Sequence, residues 1–154
     1  MVDRQVAIAE GDARGLPEGA SWCWPATAPH VSTARREVVR FLEGACRVAP
    51  ALADIALGVS EALTNVVVHA HRGGAPAGEM RVEVGFTATE IVVSVTDDGC
   101  GMTPRGDSPG LGLGLPVMAA VTDGLEIEQR PEGGTAMRLR FRRGVDVLDP
   151  AGCA

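Results

Sequence analysis

The sequence contains no lysine: all 14 basic residues are arginines, against 20 acidic residues, and the formal net charge is −6. The absence of lysine excludes a catalytic lysine and a lysine that binds phosphate. Proteins that bind nucleic acid directly usually carry a basic stripe or patch, and the sequence shows none. We therefore expect partners other than nucleic acid.

The sequence also lacks the patterns of a zinc site, a secretory signal and a membrane span. Its four cysteines form no C-x-x-C pair and no ligand cluster with a histidine. The N-terminus has no basic segment followed by an apolar one, and no uninterrupted apolar run approaches the ~18 residues of a spanning helix. These absences predict a cytoplasmic protein with free thiols and no membrane association.

The 154 residues, 45% of them hydrophobic, suffice for one domain with its own core. Residues 1–19 are rich in Gly, Asp and Glu, and we expect an N-terminal arm with at most a short strand at 5–9. We place the domain at 20–143 and a C-terminal tail at 144–154.

Periodicity divides the domain into helices and strands. A strand is predicted at 20–26, and apolar residues at helical spacing predict helices over 27–46 and from about 50 to 71. The period then changes to two, which predicts a β-hairpin with strands at about 80–86 and 90–97.

The rest of the chain is a glycine-rich loop, a short helix over 115–124 and a second hairpin with its turn at 131–134. This order predicts an α/β (α+β) two-layer sandwich, in which helices cover one face of a mixed, largely antiparallel sheet. The apolar face of residues 31–42 is either part of the core or a surface for a homodimer.

Three motifs carry candidate chemistry. In "SEALTNVVVHA", Glu61 and Asn65 lie four residues apart, which places them one above the other on a helix. A solvated polar stripe is the alternative for this pair alone. The nearby His69 and His71 are better explained as surface residues at the end of the helix than as chemistry.

The second motif, "VTDDGCGM", follows directly from a predicted strand and contains Asp97, Gly99 and Gly101 as D-x-G-x-G. Glycines at this spacing let a ligand ring approach the backbone, and the carboxylate can accept a hydrogen bond from an exocyclic amine. By itself the motif is also compatible with an ordinary Asp-Gly turn.

The third motif, "GLGLGLPVM", places Gly110, Gly112 and Gly114 immediately before a helix. Free N–H groups at a helix N-terminus favour phosphate oxygens. The motif is neither a Walker A loop nor a Rossmann fingerprint, because no strand of a βαβ unit leads into it.

Together, in this order, the three motifs resemble the N, G1 and G2 boxes of the GHKL ATPase superfamily, which includes gyrase, MutL and histidine kinases. "GGT" at 133–135 is similar to the superfamily's closing Gly-Thr. The segments "PATAPHVSTARREVVRFLE" and "ADIALGVSEALTNVVVHAH" resemble the anti-sigma factor serine/threonine kinases of the RsbW and SpoIIAB type. The resemblance covers about 20–143 and implies the Bergerat ATP-binding fold.

The resemblance implies a role for each matching residue. Asn65 would hold a Mg²⁺ that bridges the nucleotide phosphates, and Glu61 would act as general base. Asp97 would accept from the adenine amino group, with Thr135 supporting this contact through its hydroxyl. The remaining cofactor-binding residues would be Gly99 and Gly101 beside the base, and Gly110, Leu111, Gly112, Leu113 and Gly114 around the phosphates. Residues 102–109, which include Arg105, would form a lid.

The implied function is that of an ATP-dependent anti-sigma factor in bacterial transcription regulation. It would bind a sigma factor and phosphorylate a serine of an anti-anti-sigma (STAS) partner. The alternatives are an ATP-binding module that sequesters a partner without significant phosphotransfer, a detached histidine-kinase-like domain acting on a histidine, and a scaffold that binds no nucleotide. The missing phosphoacceptor helices speak against the histidine-directed alternative.

Overall fold

The structure, a computed structural model, describes residues 7–8, 19–46, 52–70, 76–100 and 114–143. Three helices occur in this part of the chain: α1 (Ala28–Ala45), α2 (Leu52–Ala70) and α3 (Gly114–Val121). Helix α1 begins after Thr27 with a proline in its first turn, a position where the missing N–H leaves no helical bond unmade. The bounds of α1 and α2 lie within about two residues of the prediction, whereas α3 ends three residues before its predicted end at 124.

Six strands form one sheet: β1 (Ala7–Ile8), β2 (Ala20–Pro25), β3 (Glu79–Phe86), β4 (Glu90–Asp97), β5 (Gly124–Gln129) and β6 (Thr135–Arg142). Their order across the sheet is β1-β2-β3-β4-β6-β5. Both predicted hairpins are confirmed, and of the predicted strand in the N-terminal arm the structure describes two residues, which pair with β2.

Every strand pairing among the described residues is antiparallel. The predicted two-layer sandwich with a largely antiparallel sheet is therefore confirmed, but the parallel pairs of a mixed sheet do not occur in this part of the chain. Both hairpins reverse the chain with short turns, so the strands within each hairpin are antiparallel. The remaining central pair is antiparallel as well, because β6 runs beside β4 in the opposite direction.

The core lies between the helices and one face of the sheet. Alternate residues of the central strands are buried there, including Val82, Val93 and Leu139, and they meet Ile55 and Leu63 of α2. The apolar face of 31–42 belongs to this core: Ala34, Val38 and Leu42 are fully buried, and Val31 and Phe41 pack against them. Homodimerisation is not tested by this observation and stays a prediction.

Helix α2 is the central element of the helical layer and packs against α1, α3, β4 and β6. By length and composition alone its segment Leu52–His69 would suffice to cross a membrane. Helices in the core of a soluble protein can be equally long and apolar, so length and composition alone are weak evidence for a membrane span. The face of α2 that carries Glu61 and Asn65 lies toward the start of α3.

Candidate functional site

Glu61 and Asn65 lie on one face of α2, and both side chains are half-buried. The Nδ2 atom of Asn65 is fully buried and makes no hydrogen bond with the part of the chain that the structure describes. An unpartnered buried polar atom costs about 1–3 kcal/mol. This amide is therefore a candidate for contact with a group other than the described residues.

The N-terminus of α3 lies directly against these two side chains. A β-carbon at Gly114 would lie 3.2 Å from Oε2 of Glu61, and 3.3 and 3.4 Å from Oδ1 and Nδ2 of Asn65. Glycine at this position keeps the helix start close to both polar groups without filling the space between them. The first N–H groups of a helix have no intrahelical partner and attract anions, so the arrangement brings such donors next to a carboxylate and an amide oxygen.

Asp97 is the last residue of β4, and its side chain is buried at the end of the strand. Its carboxylate accepts two backbone N–H groups: that of Gly99 to Oδ1 at 2.8 Å and that of Thr135 to Oδ2 at 3.1 Å. The contact of Thr135 with Asp97 is thus made by the main chain. The predicted role of its hydroxyl toward a ligand stays a prediction.

Burial raises the pKa of Asp97 above its ordinary value, and the charge of the neighbouring Asp98 adds to this. The two backbone hydrogen bonds and the charge of His69 act in the opposite direction, but burial is the largest of these influences. An ionised carboxylate offers about four acceptor positions, and the N–H groups of Gly99 and Thr135 occupy two of them.

His69 and Arg130 are two site residues that the sequence analysis did not select. His69 continues the stripe of Glu61 and Asn65 by one more turn of α2, and its charge acts on Asp97. The position of His69, four residues after Asn65, could have indicated that it lies on the same helix face. Arg130 donates from Nη1 to the backbone oxygen of Asp97 at 2.9 Å, a contact with no local sequence signal because the two residues are 33 positions apart.

A Mg²⁺ bound with nucleotide phosphates fits the chemistry of these residues. Mg²⁺ prefers oxygen ligands and usually takes only one or two from the protein, with phosphates and waters completing its octahedron. The described residues contain no cluster of three or more His, Cys, Asp or Glu side chains that could hold a metal by themselves. The amide oxygen of Asn65 beside Glu61 would be suited to serve as one protein ligand, and Nδ2 of the same amide has no partner among the described residues.

Of the predicted site residues, the structure therefore describes Glu61, Asn65, Asp97, Gly99, Gly114 and Thr135. It brings Glu61, Asn65 and Gly114 together at one place, and Asp97, Gly99 and Thr135 at another. The remaining predictions lie outside the described residues: Gly101, Gly110, Leu111, Gly112 and Leu113, with the lid at 102–109, Arg105 and His71.

Comparison with known proteins identifies similar chains. Residues 24–141 match the family described as histidine kinase-like ATPase domain. The anti-sigma F factor of Clostridium botulinum (strain Eklund 17B / Type B) is 31% identical over 108 residues, which are 63% of this chain and 73% of that protein. The anti-sigma F factor of Pasteuria penetrans is 30% identical over 113 residues, 64% of this chain and 75% of that protein.

Among solved structures, the fold is similar to the crystal structure of the RsbU and RsbW domains of a Mycobacterium tuberculosis protein. The TM-score is 0.59 at 22% identity, and the match covers 81% of this chain and 33% of the other. At this identity the likeness concerns the fold. It is consistent with the antiparallel sheet and the single helical layer described above.

Proposed function

Because the chain belongs to the histidine kinase-like ATPase domain family, and within it to the anti-sigma branch of the RsbW and SpoIIAB type, we propose that it is an ATP-dependent anti-sigma factor and protein serine/threonine kinase. It acts in the cytoplasm, binds a sigma factor, and transfers phosphate to a serine of an anti-anti-sigma (STAS) partner. One observation carries the proposal: the start of α3 lies against Glu61 and Asn65, so that helix N–H groups, a carboxylate and an amide oxygen converge.

The base of the nucleotide binds at Asp97. Its buried carboxylate is held by the N–H groups of Gly99 and Thr135 and keeps acceptor capacity for the exocyclic amine of adenine. A site built to accept from the 6-amino group of adenine discriminates against guanine, which has a carbonyl oxygen at that position and would leave the buried carboxylate facing another acceptor instead of a donor. This supports ATP rather than GTP as the nucleotide.

The phosphates bind at the other end of the site, near the start of α3. The Oδ1 atom of Asn65 serves as the protein ligand of Mg²⁺, which when bound neutralises charge on the phosphates and fixes their orientation. The helix N-terminus after Gly114 adds N–H donors for phosphate oxygens. Placing the γ-phosphate here brings it close to Glu61.

Glu61 acts as the general base. Its Oε2 is directed toward the N-terminus of α3, where it can accept the proton of an attacking hydroxyl. The hydroxyl oxygen then bonds to the γ-phosphorus while the bond to the β–γ bridging oxygen breaks, and ADP leaves. The half-exposed position of Glu61 suits an acceptor that arrives on another protein.

Phosphotransfer is tested by incubating the purified protein with γ-labelled ATP, Mg²⁺ and a recombinant STAS-domain protein encoded in the same genome. We expect acid-stable label on a serine of the STAS protein, no label in EDTA, and loss of labelling in Glu61→Gln. Glu43→Gln, which changes an exposed glutamate of α1, a helix that contributes no residue to the candidate site, is the matched control.

Other outcomes of this assay identify the alternatives. Acid-labile label would indicate a histidine acceptor and contradict the proposed kinase specificity. Binding of ATP and of the STAS protein without any label would indicate regulation by sequestration. Labelling at the wild-type rate in Glu61→Gln would contradict the assignment of the base.

A further inference from the structure

The turn between β5 and β6 folds back over the end of β4. Its two glycines, Gly133 and Gly134, have φ angles of 101° and 83°, a conformation that residues with a side chain rarely adopt. Arg130 closes the turn: its N–H donates to the oxygen of Gly134 and its own oxygen accepts the N–H of Gly133, both at 3.0 Å. A β-carbon on Gly134 would overlap the backbone oxygen of Asp97, so the turn is in direct contact with that residue.

The regular backbone pairing of β4 with β6 ends next to this turn, and contacts with Asp97 replace it. The last residue pair in register is Thr96 with Ala136. One residue further, the N–H of Thr135 donates to the carboxylate of Asp97, and the main-chain oxygen of Asp97 accepts from Nη1 of Arg130 at 2.9 Å. The residues 130–135 therefore hold Asp97 at two places, its side chain and its main chain.

The contact made by Arg130 is oriented by a second interaction. Nη2 of the same guanidinium forms an ion pair with Glu132, within the turn itself. The side chain of Arg130 is 31% exposed and that of Glu132 62%, so the ion pair with Glu132 contributes little to stability and mainly directs the guanidinium. The hydrogen bond from the charged guanidinium to the main-chain oxygen of Asp97 is charge-assisted, as is the one from the N–H of Thr135 to the carboxylate, so both contacts are stronger than a bond between neutral groups.

We propose that Arg130 is a positioning residue for Asp97: it fixes the main chain at the end of β4 and thereby aligns the carboxylate that selects adenine. The inference rests on the proposed function, since it takes Asp97 as the acceptor of the adenine amine. Arg130 does not contact the nucleotide in this account. Its loss lets the end of β4 and the turn move apart, and the carboxylate then no longer meets the amine in one fixed orientation.

The test compares ATP with purine riboside triphosphate, which differs from ATP only by lacking the exocyclic amine. Arg130→Met removes the donors and the charge but keeps an apolar stem, and Arg130→Lys restores a charged donor. Arg138→Met is the matched control, because Arg138 is an exposed arginine of β6 whose described ion pair is with Glu126. The dissociation constant of each nucleotide is measured well below the thermal midpoint of each variant.

We expect the wild type and Arg138→Met to prefer ATP by about 10-fold or more, the range of a hydrogen bond to a charged group. In Arg130→Met the preference should fall to about 3-fold or less, mainly through weaker ATP binding, with partial recovery in Arg130→Lys. A merely structural role would lower the thermal midpoint and weaken both nucleotides alike. An unchanged preference in Arg130→Met would therefore overturn the proposal.

A second measurement requires no nucleotide. Amide hydrogen exchange at Gly99 and Thr135, the two donors to Asp97, should be faster in Arg130→Met than in the wild type and unchanged in Arg138→Met. Equal exchange in all three would overturn the role of Arg130. If exchange changes as expected but the wild type shows no preference for ATP, the assignment of the base site in the proposed function is wrong, and the selectivity role of Arg130 is overturned with it.

Discussion

Asp97 and Asn65 mark the two ends of the candidate site, and they differ in how far the protein satisfies their polar atoms. At Asp97 each carboxylate oxygen accepts a backbone N–H, and Arg130 bonds to the main-chain oxygen. At Asn65 the buried Nδ2 atom has no hydrogen-bond partner among the described residues. The described residues therefore hold the Asp97 end by several hydrogen bonds, whereas they leave one donor at the Asn65 end without an acceptor.

This difference indicates a division of work between the two ends. A preorganised acceptor suits the recognition of a rigid base, because its orientation is fixed before the ligand arrives. An open amide beside a half-exposed carboxylate suits a metal, mobile phosphates and an incoming hydroxyl. Changes at the Asp97 end should therefore act on nucleotide choice, and changes at the α2 end on Mg²⁺ dependence and transfer.

The largest effect is expected for Glu61→Gln. Removing a general base slows transfer by about 10²–10⁴-fold, whereas ATP binding should change by no more than about 3-fold, since the base acts on the acceptor hydroxyl. Initial rates of serine labelling and the dissociation constant of ATP separate the two quantities. A parallel loss of binding would contradict the division between the two ends.

Asp97→Asn should act on the dissociation constant of ATP. We expect ATP affinity to fall by about 10- to 100-fold, because the charge-assisted acceptor of the adenine amine is replaced by a neutral amide. The effect of Mg²⁺ on the remaining binding should persist. Asp98→Asn is the matched control: it changes the adjacent, exposed carboxylate but keeps the oxygen that accepts the N–H of Glu79. Equal losses in both variants would show that Asp97 has no special role.

The stability of the nucleotide-free protein should also differ between the two ends. Asp97→Ala leaves the N–H groups of Gly99 and Thr135 without their acceptor and should lower the free energy of unfolding by about 1–3 kcal/mol. Asn65→Ala removes an amide whose Nδ2 has no partner among the described residues and should change the free energy of unfolding by less than about 1 kcal/mol. Urea unfolding without nucleotide measures both, and a larger loss for Asn65→Ala would contradict the comparison.

The smallest expected effect is a dependence on pH. Burial raises the pKa of Asp97, so between the ordinary value and the raised one the folded protein binds a proton that the unfolded chain releases. Lowering the pH through this window should therefore stabilise the nucleotide-free wild type relative to Asp97→Asn, and this advantage is lost as the pH rises through the raised pKa. Unfolding free energies of both proteins at several pH values measure the difference; the opposite slope would contradict a raised pKa.

ATP affinity should fall, not rise, as the pH is lowered between the ordinary and the raised pKa of Asp97. The amine of adenine donates to the ionised carboxylate, so protonation of Asp97 weakens binding as the pH falls. The change should be absent in Asp97→Asn, which serves as the control in a titration of ATP at the same pH values.

The sequence was sufficient for the helices and strands of the described part of the chain. The alternation of β3 and β4 located that hairpin to within a residue, because a period of two leaves little freedom in a half-buried strand. Glu61 and Asn65 share a face because helical geometry is fixed by spacing alone. The strand directions were less well predicted, because the order of β4 and β6 depends on tertiary packing.

The contacts around Asp97 could not be predicted from the sequence for a related reason. They join residues of β4 with the β5–β6 turn, and they exist only because the β4–β6 register brings Thr135 next to the end of β4. The contact between Arg130 and a main-chain oxygen has no side-chain partner that a motif would reveal. The burial of the Asn65 amide likewise depends on how α3 packs against α2.

The most direct test of the site as a whole is the thermal midpoint of the wild type with ATP, in Mg²⁺ and in EDTA, beside Asp97→Ala under the same conditions. A ligand at 100 times its dissociation constant stabilises the fold by ~2.7 kcal/mol, which corresponds to about 5–10 °C for a domain of this size. We expect such a rise for the wild type with Mg²⁺, a smaller one in EDTA, and little or none for Asp97→Ala at the same ATP concentration. No rise for the wild type at any ATP concentration, or an equal rise in both proteins, would contradict a nucleotide site that extends from Asp97 to Asn65.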